Sequence, residues 1–197
     1  FQDHKIFSNY GLILQGLGKL KEAEIITRKG IELNPNFAKA HFILGNILID
    51  LGNLKEAEHS YRRAIELNPN FAKAHLNLGS VLRDLSKLKD AELSMRKAIK
   101  LNPNLTNAHY NLGNILSDLG NLKDAELSQR KAIEMNPNFT DAYYTLGNTM
   151  RGLGKLKEAE FYTRKAIELN PNFADAYHNL SGIFINIGKL KEAEFYT

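Results

Sequence analysis

Apolar residues recur along the chain at intervals of three and four positions, in segments separated by short polar breaks. Within residues 38–71, a first segment shows this spacing at His41, Leu44, Gly45, Leu48 and Leu51. A second segment shows it at Leu54, Ala57, Tyr61, Ala64, Ile65 and Leu67. Because these intervals place side chains on one face of an α-helix, each segment predicts an amphipathic helix. The breaks at Gly52-Asn53 and Asn68-Pro69 are typical of helix ends.

This pair of helices is repeated through the chain with a fixed period. The tripeptide Asn-Pro-Asn recurs every 34 residues, with its proline at Pro35, Pro69, Pro103, Pro137 and Pro171. A period of this length indicates supersecondary units that stack on their neighbours. We therefore predict an all-α solenoid of antiparallel helix-turn-helix repeats, forming a single array over residues 1–197. Its repeats are 4–37, 38–71, 72–105, 106–139, 140–173 and 174–197, of which the last is incomplete.

Small residues at two positions of the repeat predict close packing between its helices. The first helix has glycine at Gly11, Gly45, Gly79, Gly113 and Gly147. The second helix has alanine at Ala23, Ala57, Ala91, Ala125, Ala159 and Ala193. Side chains that project little let two helices approach closely. Ser181 replaces the glycine in the sixth repeat, and Ser86 lies in the turn of the third repeat. Neither change should break the fold. Asn70 is expected to cap the next helix, with Phe71 packed over its first turn.

The pattern formed by His41, Leu44-Gly45, Ala57, Tyr61, Ala64 and Pro69, repeated with small variations, resembles the tetratricopeptide repeat family. The resemblance covers nearly the whole chain. It implies that the repeats form a right-handed superhelix and that the first helix of each repeat lines the concave side.

Composition and charge restrict the possible functions. A hydrophobic content of 43% is sufficient for a buried core. The net charge of +4 is low for nucleic-acid binding, which we do not expect. Without cysteine, disulfides and thiolate metal sites are excluded. No apolar run predicts a membrane span and the N-terminus does not resemble a signal peptide, so we predict a cytoplasmic protein. The missing initiator methionine and the incomplete sixth repeat suggest a piece of a longer protein.

Residues capable of catalysis or metal binding are better explained by the repeat. His41, His75 and His109 share a position that holds Phe7, Tyr143 and Tyr177 in the other repeats, which is typical of packing rather than metal binding. Five glutamates of the second helices, Glu24, Glu58, Glu92, Glu126 and Glu160, each precede an arginine by four residues. This order favours helical ion pairs on a solvated face. We predict no catalytic residues, no metal site and no cofactor in this chain.

One face of each first helix, which we call the stripe, is not needed for the core and carries several asparagines. Asparagine is an indifferent helix former, and its amide matches the N–H and C=O groups of an extended peptide. We therefore predict peptide binding, in the concave groove, by Asn9, Asn46, Asn77, Asn111, Asn114, Asn148, Asn179, Lys39, Lys73, Arg83, Tyr110, Tyr144 and Arg151. Alternatively, the amides bond across adjacent repeats or to water. One position of the stripe changes from basic to acidic, through Lys5, Lys39, Lys73, Asn107, Asp141 and Asp175, which suggests that a bound segment is oriented by charge.

The sequence favours a protein-interaction scaffold that binds an extended peptide, and two alternatives remain open. The runs Asn77-Leu78-Gly79 and Asn111-Leu112-Gly113 resemble the asparagine-ladder repeats of O-linked N-acetylglucosamine transferase. That resemblance implies a substrate-presenting arm of a larger glycosyltransferase or other modifying enzyme. The second alternative is a structural array that associates with copies of itself through its terminal repeats.

Overall fold

The computed structural model describes residues 3–195, and all regular secondary structure within that range is α-helical. The helices are α1 (Asp3–Gly16), α2 (Leu20–Leu33), α3 (Ala38–Asp50), α4 (Leu54–Leu67), α5 (Ala72–Asp84), α6 (Leu88–Leu101), α7 (Thr106–Asp118), α8 (Leu122–Met135), α9 (Thr140–Gly152), α10 (Leu156–Leu169), α11 (Ala174–Asn186) and α12 (Leu190–Phe195). Each successive pair of helices forms one hairpin of the predicted repeat. The predicted fold class, an all-α solenoid of helix-turn-helix repeats, is confirmed.

The chain divides into two units, with the boundary after Pro103. The first unit contains α1–α6, in which α2 packs on α3 and α4 packs on α5. The second contains α7–α12, in which α8 packs on α9 and α10 packs on α11. A single array over residues 1–197 stays a prediction, and residues 1, 2, 196 and 197 lie outside the described part of the chain.

The glycine of each first helix lies under a larger side chain of the second helix. At Gly45, a methyl carbon at the Cβ position would lie 2.5 Å from Cε1 of Tyr61, whose ring is buried. The equivalent pairs are Gly11 with Thr27, Gly79 with Met95, Gly113 with Gln129, and Gly147 with Thr163. The glycines are therefore required by the close approach of the two helices. Ser181, which replaces the glycine in the sixth repeat, donates a hydrogen bond to the backbone oxygen of Ala193 at 3.0 Å.

The turns between helices differ from the expected capping. No side-chain cap bond forms at the start of α5, where Phe71 and not Asn70 is the N-cap residue. Instead, the Oδ1 atom of Asn68 accepts a hydrogen bond from the backbone N–H of Asn70 at 3.2 Å, which forms a local turn. The prediction of an Asn70 cap was therefore wrong. Phe71 packs on Phe42, with ring centroids 4.8 Å apart.

All five predicted ion pairs between glutamate and arginine of the second helices are present. Their shortest N–O distances range from 2.8 Å for Glu24–Arg28 to 3.1 Å for Glu160–Arg164. The structure adds bonds between repeats that the sequence analysis did not predict. The Nζ atom of Lys87 lies 2.7 Å from Oε2 of Glu58, and this hydrogen bond lowers the pKa of Glu58. The ion pair between Lys87 and Glu58 joins adjacent repeats, in addition to the apolar core.

Candidate peptide-binding site

A cleft of about 360 Å³ lies against the first helices of the first unit. It is lined by Gln15 of α1, by Asn46, Ile49 and Asp50 of α3, by Tyr61 of α4, and by Asn77, Ser80, Val81 and Asp84 of α5. The stripe of the first helices that was predicted to form a groove therefore contributes most of the lining. The volume is in the range of known ligand pockets.

The polar centre of this cleft is a hydrogen-bonded group of two amides and a phenol. The hydroxyl of Tyr61 donates to Oδ1 of Asn46 at 2.7 Å, and Nδ2 of Asn77 donates to the same oxygen at 2.9 Å. Burial raises the pKa of Tyr61 to about 12, so its hydroxyl remains a donor at neutral pH. The Nδ2 atom of Asn46 and Oδ1 of Asn77 have no partner among the described residues. One donor and one acceptor are therefore left for a ligand, and the other amide atoms hold both side chains in place.

Charged side chains lie at both ends of the first helices in this unit. At the N-terminal ends, Lys39 and Lys73 are exposed, and Nζ of Lys39 donates to Oδ1 of Asn9 at 3.4 Å. At the C-terminal ends, the carboxylates of Asp50 and Asp84 are exposed at the edge of the cleft. Nε2 of Gln15 donates to Oδ2 of Asp50 at 2.6 Å. Arg83 also lies in the last turn of α5, so the C-terminal ends carry both signs of charge.

The asparagines of the second unit are in different environments. Asn179 is only 4% exposed, and its Nδ2 atom donates to Oγ1 of Thr163 at 3.2 Å. Asn114 is also buried, with 8% of its surface exposed, whereas Asn111 and Asn148 are half-buried. The bond between Asn179 and Thr163 is of the kind expected from the alternative interpretation, in which the amides join adjacent repeats.

The aromatic and arginine side chains of the predicted site also have neighbours. Tyr110 and Tyr144 are half-buried, and their rings pack on Phe139 and Phe173, with centroids 4.8 and 5.0 Å apart. The exposed residues among those predicted are Asn9, Lys39, Lys73 and Arg151. The half-buried ones are Asn46, Asn77, Asn111, Asn148, Arg83, Tyr110 and Tyr144. A peptide-binding role for all of them stays a prediction.

Sequence reasoning missed Tyr61 because its position in the repeat was counted as core. The ring is indeed buried, at 1% exposure, but the hydroxyl reaches Asn46 in the cleft. The signal was available in the residue type. A buried tyrosine usually needs a hydrogen-bond partner, whereas Met95 and Thr163 at the equivalent positions cannot extend a phenol toward the cleft.

The described residues also bear on two other kinds of site. Among residues 3–195, no group of three or more histidine, aspartate or glutamate side chains is arranged to hold a metal ion. None of the helices in that range has the length and apolar character needed to cross a membrane.

The repeated hairpins define an α-helical repeat protein, and comparison with known sequences identifies the family. Matches described as tetratricopeptide repeat cover residues 4–37, 72–105, 106–139, 140–173, 27–59 and 162–195. A further match, described as TPR repeat, covers residues 45–86. The chain belongs to the tetratricopeptide repeat family. No curated protein sequence gives a significant match to it.

Solved structures with the same fold include several named proteins. The crystal structure of YrrB, described as a TPR protein with an unusual peptide-binding site, has a TM-score of 0.77 and 27% identity, covering 87% of this chain and 89% of that one. MamA has a TM-score of 0.78 and 26% identity, covering 88% and 95%. PilW, described as a widely conserved type IV pilus biogenesis factor, has a TM-score of 0.90 and 21% identity, covering 100% and 91%. At that identity, PilW is a relative in fold alone.

Proposed function

We propose that this chain is a non-catalytic protein-interaction scaffold that binds an extended peptide against its first helices, with Asn46 and Asn77 contacting the peptide backbone. The observation that carries the proposal is the unpartnered donor on Asn46 beside the unpartnered acceptor on Asn77. An extended backbone presents one C=O acceptor and one N–H donor per residue, so these two amides match it without requiring a particular peptide sequence.

The preorganisation of the two amides supports this function. Each is fixed by a hydrogen bond to a neighbouring repeat or helix, so little side-chain freedom is lost when a ligand binds. The likeness to YrrB, whose description includes a peptide-binding site, is consistent with the same use of the fold. The exposed charged side chains of Lys39, Lys73, Asp50 and Asp84 on the same helices would then select among peptide side chains.

The test is a peptide-array screen with the whole chain, followed by fluorescence polarisation of the tightest binder. Asn77→Ala removes one backbone contact but leaves the bond between Tyr61 and Asn46, and it should weaken binding by about tenfold, since one hydrogen bond contributes about 1–1.5 kcal/mol. Asn53→Ala, in an exposed turn outside the cleft, is the matched control and should leave binding unchanged. N-methylation of the peptide at the residue that donates to Asn77 removes the same hydrogen bond and adds a methyl group, so it should weaken binding at least as much.

Two results would reject this function. The first is equal affinity of the wild-type protein and a folded Asn77→Ala variant. The second is unchanged binding by every N-methylated peptide, which would show that side chains and not backbone are recognised.

Self-association through the terminal repeats is a separate prediction, and light scattering over a range of protein concentrations tests it.

A further inference from the structure

A second cleft lies in the first unit between the second helices of its first two repeats. It has a volume of about 450 Å³ and is lined by Arg28, Ile31 and Glu32 of α2, by His41 and Leu44 of α3, and by Lys55, Glu56, His59 and Ser60 of α4. None of these residues lines the cleft at the first helices. The second cleft is therefore a separate feature of the surface.

The second unit has equivalent residues three repeats later, and they show what kind of side chain fits into the cleft. Tyr162 stands at the position of Ser60, and Arg130 stands at the position of Arg28. The Nη1 atom of Arg130 donates a hydrogen bond to the hydroxyl of Tyr162, and its guanidinium carbon lies 5.2 Å from the centroid of the tyrosine ring. The ring also faces Tyr143, at a centroid distance of 6.4 Å. This arrangement combines a cation–π contact with a hydrogen bond to the phenol.

Arg28 is held in the same way as Arg130 but has no phenol to bind. Its Nη2 atom lies 2.8 Å from Oε1 of Glu24 and 2.8 Å from Oε2 of Glu56. The corresponding distances from Arg130 to Glu126 and Glu158 are both 2.9 Å. In Arg130, the Nη1 atom donates to the hydroxyl of Tyr162. In Arg28, the Nη1 atom has no partner among the described residues. The donor is thus already positioned in the first unit.

Other residues that line the cleft have counterparts at the same repeat positions in the second unit. Leu44 in the first unit and Leu146 in the second are buried at 4% and 0% exposure and share one repeat position. His41 stands where the second unit has Tyr143, and its Nε2 atom donates to the backbone oxygen of Pro35 at 2.9 Å, which fixes the ring. The walls differ at His59, where the second unit has Phe161 with its ring 5.1 Å from that of Tyr162. Serine at position 60 leaves the space that a tyrosine fills at position 162.

We propose that the cleft between α2 and α4 binds a tyrosine side chain of a partner protein, with Arg28 contacting the phenol as Arg130 contacts Tyr162. The cleft is bordered by charged side chains of both signs, Glu32, Lys55 and Glu56, which suit the polar backbone around an inserted side chain. A third cleft, of about 340 Å³, lies one repeat further on and is lined by residues at the same repeat positions, among them Arg62, His75 and Ser94. A partner polypeptide with two aromatic residues is therefore matched by two clefts on the same side of the first unit.

The experiment is a titration of the full chain, followed by NMR, with three small probes: N-acetyl-L-tyrosinamide, 4-cresol and toluene. Saturable shift changes at the Arg28 Nε–H and at the backbone amides of His41 and Ser60 are expected for both phenols, with dissociation constants on the order of millimolar for ligands of this size. Toluene lacks the hydroxyl and should bind several-fold more weakly. Ser60→Tyr places the phenol of the protein itself in the cleft and should abolish the shifts, whereas Ser60→Ala should preserve them.

Arg28→Gln provides a second variant in case Ser60→Tyr does not fold. It should lower the affinity for 4-cresol more than that for toluene, because toluene loses only the cation–π contact whereas 4-cresol also loses the hydrogen bond. Absence of saturable shifts in the wild-type protein would overturn the proposal, as would shifts that persist in a folded Ser60→Tyr variant. Binding of 4-cresol without N-acetyl-L-tyrosinamide would also overturn it, because the cleft would then accept a free phenol but not a residue within a polypeptide.

Discussion

The strongest prediction about stability concerns Gln129, whose side chain is buried without hydrogen bonds. Gln129 is 0% exposed, and neither Nε2 nor Oε1 has a partner among the described residues. Met95 occupies the same position of the repeat in the first unit and packs over Gly79 as Gln129 packs over Gly113. Gln129→Met should therefore fill the same space without an unpaired amide.

The expected gain follows from the cost of burying unpaired polar atoms. Leaving a buried polar group unsatisfied costs about 1–3 kcal/mol, and a swap that conserves volume adds little packing strain. Gln129→Met should thus raise the free energy of unfolding by about 1–3 kcal/mol. The reciprocal change Met95→Gln places an amide over Gly79 and should lower it by a similar amount.

Urea denaturation followed by far-UV circular dichroism gives the free energy of unfolding for both variants. Because a repeat protein is stabilised repeat by repeat, hydrogen exchange should locate the effect. Amide protection should increase in α7 and α8 for Gln129→Met and decrease in α5 and α6 for Met95→Gln. A folded Gln129→Met variant of equal or lower stability would refute the reasoning, since it would mean that the buried amide carries no penalty.

Three further changes have defined outcomes. Gly45→Ala places a methyl group 2.5 Å from the buried ring of Tyr61 and should lower the free energy of unfolding by about 1–3 kcal/mol in urea denaturation. Asn53→Lys should add an ion pair to Glu24, like that from Lys87 to Glu58, and gain at most about 1 kcal/mol at low salt. His41→Tyr should reduce the loss of stability between pH 7.5 and 5.5, because burial lowers the pKa of His41 below its usual 6.5.

Each of these changes can be checked by a control or by a second variant of the same chain. Gly16→Ala meets nothing within 4 Å and should not destabilise the protein, in contrast to Gly45→Ala. The gain from Asn53→Lys should disappear in about 1 M salt, where exposed ion pairs are screened. His75 is held like His41, since Nε2 donates to the backbone oxygen of Pro69 at 3.1 Å and burial lowers its pKa. His75→Tyr should therefore reduce the pH dependence further, and an unchanged dependence in the double variant would contradict the assignment.

The sign of the histidine effect follows from proton linkage. The depressed pKa means that the unfolded chain binds a proton more readily than the folded protein does, so stability increases with pH in this range. The contribution of neutral His41 is present above pH 6.5 and is lost as the pH falls through the lower folded-state pKa. A tyrosine keeps the hydrogen bond without that titration, as shown by Tyr177, whose hydroxyl donates to the backbone oxygen of Pro171 at 3.1 Å.

The fold was predictable because it depends on features that every repeat shares. Apolar residues at helical spacing, a glycine opposite a larger side chain, and Asn-Pro at the end of the second helix each recur at the same position. The ion pairs within helices, such as Glu58–Arg62, were predictable for the same reason. By contrast, the bond from Lys87 to Glu58 depends on which repeats have lysine rather than asparagine at one turn position.

The candidate site was predictable only in outline. The sequence located the stripe of asparagines but could not show which amide atoms are already bonded, because this depends on residues of the adjacent repeat. Asn77 is half-buried beside the cleft, whereas Asn179 at the same repeat position is buried against Thr163. Position within the repeat therefore does not determine whether an amide is available to a ligand.

Asn77 and Asn179 share one contact with the preceding repeat. The residue at this position of one repeat contacts the residue 16 positions earlier, in the second helix of the preceding repeat: Asn77 lies 3.5 Å from the hydroxyl of Tyr61, and Asn179 bonds to Thr163. From Gln129 the same offset leads to Thr145, whose hydroxyl instead donates to the backbone oxygen of Ala142 at 3.3 Å. The amide of Gln129 has no hydrogen-bond partner among the described residues. Whether an amide of the stripe can reach a peptide therefore depends on burial as well as on its bonds. The Oδ1 atom of Asn179 has no partner among the described residues and yet is buried, whereas Asn77 is half-buried in the lining of the cleft.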